Sequence, residues 1–179
     1  DPVLSRGLGD VYKRQLLWKQ DLTPPGEKSG EIFGGGLTLG QDQLFVTLSY
    51  GFVLSLDPRT GEKKWSQRLS GAGNTVPVFD DGLVYLVSGD SKAWAISANN
   101  GRIKWKIDAI GNDTNLISNN APATSKKYAV FGFGNGEIYT TFKKGGYVLW
   151  SSSLSGRNDG RVKSAIDDIA FRVARDFNN

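Results

Sequence analysis

Few residues of this 179-residue chain could carry chemistry, and their types narrow the choice further. There is no His and no Cys. That removes the commonest general base and metal ligand, the thiolate nucleophile, the zinc-thiolate site and any disulfide framework. Asp80-Asp81 and Asp167-Asp168 are the only adjacent acidic pairs. A hard cation such as calcium needs several oxygens of this kind gathered at one point. The first pair sits in "FDDGLVY", between apolar runs, and reads as a solvated turn. "GFGNG" (132–136) has the glycines of a dinucleotide loop, but strand-like runs flank it where a phosphate site needs a helix to follow. It reads as a hairpin. Asn112-Asp113-Thr114 fits the glycosylation sequon and is read as a chance match. The net charge of +4 comes from scattered Lys and Arg. Nucleic-acid grooves cluster such residues among aromatics, so no nucleic-acid partner is expected. No run approaches the roughly 18 apolar residues of a membrane helix.

What recurs is not a reactive group but a turn and a tryptophan. "LDPRTGEKKW" (56–65), "ISANNGRIKW" (96–105) and "FKKGGYVLW" (142–150) each place a turn and a glycine shortly before a Trp. Trp18, Trp65, Trp105 and Trp150 are 47, 40 and 45 residues apart. A four-stranded propeller blade occupies about 40 to 45 residues. The internal order of each unit agrees. An apolar stretch such as "TVPVF" (75–79) or "NAPAT" (120–124) precedes a strand: "LFVTLS" (44–49), "LVYLVS" (83–88) or "YAVFGF" (128–133). A tight turn follows at Tyr50-Gly51, Gly89-Asp90-Ser91 or Asn135-Gly136. A returning strand comes next: "FVLSLD" (52–57), "KAWAIS" (92–97) or "EIYTTF" (137–142). These runs are short, rich in β-branched and aromatic residues, and bounded by Gly, Asn, Asp and Ser.

In Asp57-Pro58-Arg59-Thr60-Gly61 the Asp opens the turn, Pro presets φ and Gly supplies the left-handed conformation. Gly61, Gly101 and Gly146 are therefore expected to be turn glycines. A four-stranded sheet cannot bury both faces alone. A large ring at one site per unit would fill each sheet-to-sheet interface. Burying about 200 Å² of indole at about 25 cal/mol/Å² contributes roughly 5 kcal/mol before entropy is charged. Trp18, Trp65, Trp105 and Trp150 are thus read as interface residues, with stacking on a carbohydrate or cofactor the other use of such rings. Trp94, inside "KAWAIS", is read as core.

The turn-Gly-x-x-x-Trp units resemble the quinoprotein-type (PQQ-like) propeller repeat. The ordered series from "LWKQDL" through "NGRIKWKIDAIGNDTNLISNNAPA" to "GYVLWSSSLSGRNDGRVKSAIDDI" is similar, over residues 16 to about 169, to the BamB family, propeller lipoproteins of the bacterial outer-membrane barrel-assembly machinery. The resemblance implies an all-β propeller, eight-bladed in the whole protein, of which this chain holds about four four-stranded antiparallel blades. It implies a non-enzymatic scaffold without cofactor, anchored at the periplasmic face of the outer membrane by an N-terminal lipid. Its protein partner would be the POTRA domains of the barrel-inserting subunit. The family's contact positions map onto Leu116 in "NLISNNAP" and Asp168 in "DDIA". The arginine expected beside the first is Ile117, and a second acidic position is Ala170. The rival classes are a PQQ-dependent dehydrogenase and a generic ligand-binding propeller. Many such dehydrogenases carry a vicinal cysteine pair that this chain lacks.

The expected organisation is a non-native or disordered leader over 1–15, propeller repeats over 16–170 and a frayed tail over 171–179. Val162, Ala165, Ile166, Ile169 and Val173 fall at helical spacing, whereas the repeat count places a strand near 166–170.

Overall fold

Turn chemistry divides the chain into strands of two to seven residues. A computed structural model describes residues 16–24, 26–27, 34–109, 121–134 and 136–153. The first sheet is formed by β1 (Gly34–Gly40), β2 (Gln43–Leu48), β3 (Phe52–Leu56) and β4 (Lys63–Arg68). The second comprises β5 (Val78–Asp80), β6 (Leu83–Ser88), β7 (Lys92–Ser97) and β8 (Ile103–Asp108). The third comprises β9 (Ala123–Thr124), β10 (Tyr128–Gly132), β11 (Glu137–Phe142) and β12 (Val148–Ser153). Each sheet is an antiparallel meander whose strands pair in sequence order. The described residues thus make three complete sheets of the roughly four expected. Residues 16–24 contribute no strand of their own. The stretch 162–173, with its helix-or-strand ambiguity, lies outside the described residues.

The three meanders share one register. Trp65 lies opposite Ser55 and Ser55 opposite Phe45. Trp105, Ala95 and Tyr85 repeat that row, as do Trp150, Thr140 and Val130. Each outer strand carries a bulge immediately before its tryptophan, at Lys64, Lys104 and Leu149. A bulge adds twist and re-aims the side chains beside it.

The first strands of consecutive sheets approach one another, β1 with β5 and β5 with β9, so the sheets fan out from a shared inner line. Gly36 and Gly40 permit this close approach. A Cβ on Gly36 would stand 2.3 Å from the Val76 Cα, and one on Gly40 would stand 2.2 Å from the Phe79 ring.

The hydrophobic core lies between sheets. One cluster joins Phe45 and Val53 of the first sheet to Val84, Leu86, Trp94 and Ile96 of the second. The next joins Tyr85, Ala93 and Ala95 of the second to Ala129, Phe131 and Tyr139 of the third. Alternate residues of β7 therefore serve different interfaces, Trp94 and Ile96 one way and Ala93 and Ala95 the other, as a period-two strand dictates. The second sheet, covered on both sides, is buried almost throughout β6 and β7. By contrast β2 alternates buried with half-buried positions. Phe45 stacks on Phe79 at 5.8 Å across the first interface, and Trp105 meets Phe131 edge-on at 5.8 Å across the second.

Candidate functional site

Trp18, Trp65 and Trp105 each reach forward to the glycine turn of the next unit. The indole N–H of Trp65, in the first sheet, donates to the Ala98 carbonyl of the second at 2.8 Å. Trp105 repeats this with Lys143 of the third sheet at 2.9 Å. Trp18, ahead of the first sheet, donates to Pro58 at 3.0 Å. The accepting carbonyl is always three residues before the turn glycine. The ring then lies flat against that glycine. A Cβ would stand 2.7 Å from Trp18 at Gly61, 2.6 Å from Trp65 at Gly101 and 2.6 Å from Trp105 at Gly146. All three glycines have left-handed backbones, with φ of 75°, 71° and 68°. They are needed twice, for φ and for the space the ring takes.

The turns share one set of closing bonds. Gly61 N–H donates to Asp57 O, Gly101 to Ser97 and Gly146 to Phe142, at 2.8, 2.9 and 3.2 Å. In the first turn the Asp57 carboxylate accepts from the backbone N–H of Arg59 and Thr60. The Arg59 bond is the main reason its carboxyl sits below the usual range. Trp150 holds the same register position, opposite Thr140, and is half-buried. The segment that would follow its sheet lies outside the described residues.

Polar side chains add cross-links that composition did not reveal. The Thr47 hydroxyl accepts from Gly36 N–H and donates to the Thr75 carbonyl, each at 2.8 Å, tying β2 to the lead-in of the second sheet. Asp90 is a hub in the β6–β7 turn. It accepts from Ser70 at 2.6 Å, and also from Ser88 and Lys92, while the Trp94 indole donates to Ser88 at 2.7 Å. Burial pushes the Asp90 carboxyl up, but the bonds from Lys92, Ser70 and Ser88 outweigh it and hold it below the ordinary range. The same bond raises Lys92 above the usual lysine range.

Lys143, nearly buried, pairs with Asp80 across the second interface at 2.7 Å. Tyr85 is fully buried, and its hydroxyl has no partner among the described residues. Burial, then Asp80 and Asp81, push that phenol well above its usual range. "GDSK" and "FKKGG" are turns by sequence. Nothing local joins Asp90 to Ser70 or marks Lys143 as buried, because Ser70 and Asp80 come from elsewhere along the chain; Ser88 and Lys92 are two residues from Asp90.

Leu116, Asp168 and Asp167 lie outside the described residues, so the expected contact positions are not brought together here. Asp80 and Asp81 sit at the β5–β6 turn, and Asp80 is occupied by Lys143. Among the described residues no three His, Cys, Asp or Glu side chains converge as a metal site. The "GFGNG" glycines link β10 to β11 as a hairpin. A shallow cavity of about 230 Å³ lies on the first sheet's open face, between residues 20–24 and Leu48, Phe52, Leu54, Lys63 and Ser66. It gathers no reactive constellation. No described helix is long and apolar enough to cross a membrane.

Four-stranded meanders fanned about an inner line, the first and second latched by outer-strand tryptophans to the next unit's glycine turn, define a β-propeller of PQQ-like repeats. Two of the solved structures that share the fold illustrate it. BamB from Moraxella catarrhalis matches with a TM-score of 0.63 and 17% identity, over 70% of this chain and 39% of that one. A europium-containing methanol dehydrogenase matches with a TM-score of 0.61 and 17% identity, over 72% and 26%. The chain belongs to the family of the outer membrane protein assembly factor BamB, whose family profile matches residues 10–179. The BamB of Yersinia pestis is 23% identical over 164 residues, covering 89% of this chain and 42% of the relative. That of Moranella endobia is 21% identical over 165 residues, again 89% and 42%. The chain thus spans about two fifths of the length of these curated relatives.

Proposed function

We propose that this chain is part of a non-enzymatic scaffold in outer-membrane protein assembly, working at the periplasmic face of the outer membrane. Its partner is the POTRA region of the barrel-inserting subunit. The family match across residues 10–179 carries this reading. The latches support it physically. Each sheet is held to the next by a ring, a charge-free hydrogen bond and an interlocking apolar cluster, so the frame is rigid and its exposed loops are free to recognise. In this reading Leu116 and Asp168 belong to segments that link successive sheets, and both contact the partner. Leu116 is an apolar anchor and Asp168 an acidic one.

Capture by immobilised POTRA domains tests the proposal on the full-length parent. The wild type should be retained, and Leu116→Ala with Asp168→Asn should reduce capture at least tenfold. Failure of the wild type to bind overturns the docking. Titration with PQQ and calcium should leave the cofactor's absorbance flat; a saturable change would overturn the non-enzymatic reading.

A further inference from the structure

The two inter-sheet contacts share a geometry but not a chemistry. Ala98 of the second unit and Lys143 of the third hold equivalent places, since the carbonyl of each accepts an indole N–H from the unit before. The backbone N–H of Ala98 donates to Gly82 at 3.0 Å and that of Lys143 to Lys127 at 2.9 Å. Gly40 and Asp80 are also equivalent. Each is the last paired residue of its sheet's first strand, opposite Gln43 and Leu83 respectively. The first contact therefore sets Gly40 and Ala98 where the second sets Asp80 and Lys143. Thr124 of the third unit stands at the register position that Phe79 holds in the second.

These differences stop the contacts from being interchangeable. Lys143 is only 7% exposed, and its Nζ lies 2.7 Å from the Asp80 carboxylate of the preceding sheet. A buried ammonium is tolerated where it is paired. With the third sheet seated on the first, Lys143 would face Gly40, which has no carboxylate. With one second-unit sheet seated on another, Asp80 would face Ala98 and lose its cation. The stranded lysine is the costlier error, because the Asp80 side chain keeps 32% of its surface in water. Units built to one plan invite such errors, since repeat proteins misassemble and exchange elements between copies.

We propose that Asp80 and Lys143 form an ordering key, which seats the third sheet behind the second and rejects the first sheet in that place. The key works by penalty. Replacing a buried ion pair with apolar side chains is often neutral or stabilising, whereas stranding one of its charges is strongly destabilising. The pair thus adds little to the correct arrangement and disfavours the wrong one by roughly a hundredfold or more. Specificity gained by penalising the competitor is a general device. Both residues are positioning residues. Their role concerns the order of the sheets and is independent of what the loops bind.

Refolding of the full-length parent from urea tests the key, with monomer yield read by size-exclusion chromatography and light scattering. Asp80→Leu/Lys143→Met removes both charges. Its urea midpoint should equal or exceed that of the wild type, while its monomer yield should fall at least threefold into soluble oligomers. A wild-type monomer yield in this variant overturns the proposal. Two charge reversals decide the matter if that variant does not fold. Asp80→Lys and Lys143→Asp each set like charges across the contact, and each alone should refold poorly. Combined in one chain, they should return the wild-type monomer yield. Refolded together as two chains, they should form a heterodimer in which each copy's second sheet takes the other's third, at least fivefold in excess of either homodimer. An ordinary stabilising contact would lower the midpoint without choosing a partner in this way. Failure of the combined reversal to restore monomer, or no excess of heterodimer, overturns the proposal.

Discussion

Replacing Gly101 by Ala tests the ring-on-glycine latch, and the protein holds its own control. At Gly101 φ is +71° and an added Cβ would stand 2.6 Å from Trp65 Cε3. At Gly82 φ is +73° and an added Cβ would meet nothing within 4 Å. Both substitutions carry the left-handed strain of an L-residue, about 1 to 2 kcal/mol. Only Gly101→Ala must also push the indole back by about 0.8 Å to reach ordinary contact. Overpacking of that kind costs about 1 to 3 kcal/mol. The displaced ring weakens the 2.8 Å bond to Ala98, a further loss of about 0.5 to 1.5 kcal/mol.

Gly101→Ala should therefore cost about 1.5 to 4.5 kcal/mol more than Gly82→Ala, roughly ten- to a thousandfold in the folding equilibrium. Urea midpoints followed by far-ultraviolet circular dichroism measure both without relying on indole emission. A Trp65→Leu background completes the cycle: with the ring removed, the Gly101→Ala penalty should fall to that of Gly82→Ala. Equal penalties for the two glycines in the wild-type background would refute the latch and reduce Gly101 to a turn residue.

Trp105→Phe leaves the Lys143 carbonyl without its indole donor and should lower stability by about 1 to 3 kcal/mol in the same urea assay. Asp90 has a depressed folded pKa. Its contribution is present above the unfolded carboxylate value near 3.9 and is lost as pH falls through the folded value. Asp90→Asn should therefore flatten the acid limb of a melting-temperature profile between about pH 5 and 2. Lys92 has a raised folded pKa, so its share is present below about 10.4 and lost as pH rises through the folded value. The same variant should flatten the alkaline limb. Tyr85→Phe removes a buried hydroxyl that lacks a partner among the described residues, and Phe45 already fills the equivalent place. The variant should be neutral or up to about 1 kcal/mol more stable in urea, and a clear loss would show that the hydroxyl is partnered.

Much of the frame was legible residue by residue. "LVYLVS", "KAWAIS" and "EIYTTF" coincide with β6, β7 and β11. Short alternating apolar runs between turn residues leave little choice but strands. The left-handed φ at Gly61, Gly101 and Gly146 was equally readable, since each closes a turn that no other residue closes as cheaply. The spacing of the tryptophans announced a repeat. The two candidate contact positions, Leu116 and Asp168, rest on family resemblance alone.

Sequence by itself determined the period, the strands and the turns, because these depend on side chains within one unit. Only the tertiary structure decided where the indoles of Trp18, Trp65 and Trp105 point: at a carbonyl three residues before the glycine of the next unit, in the space a Cβ would fill. It also decided that Asp90 gathers Ser70, Ser88 and Lys92, and that Lys143 is buried against Asp80. The physical reason is that a four-stranded sheet has no interior. Its core exists only where it meets the next sheet, 33 to 40 residues away along the chain in the latch bonds, and local pattern cannot name the atoms that arrive from that distance.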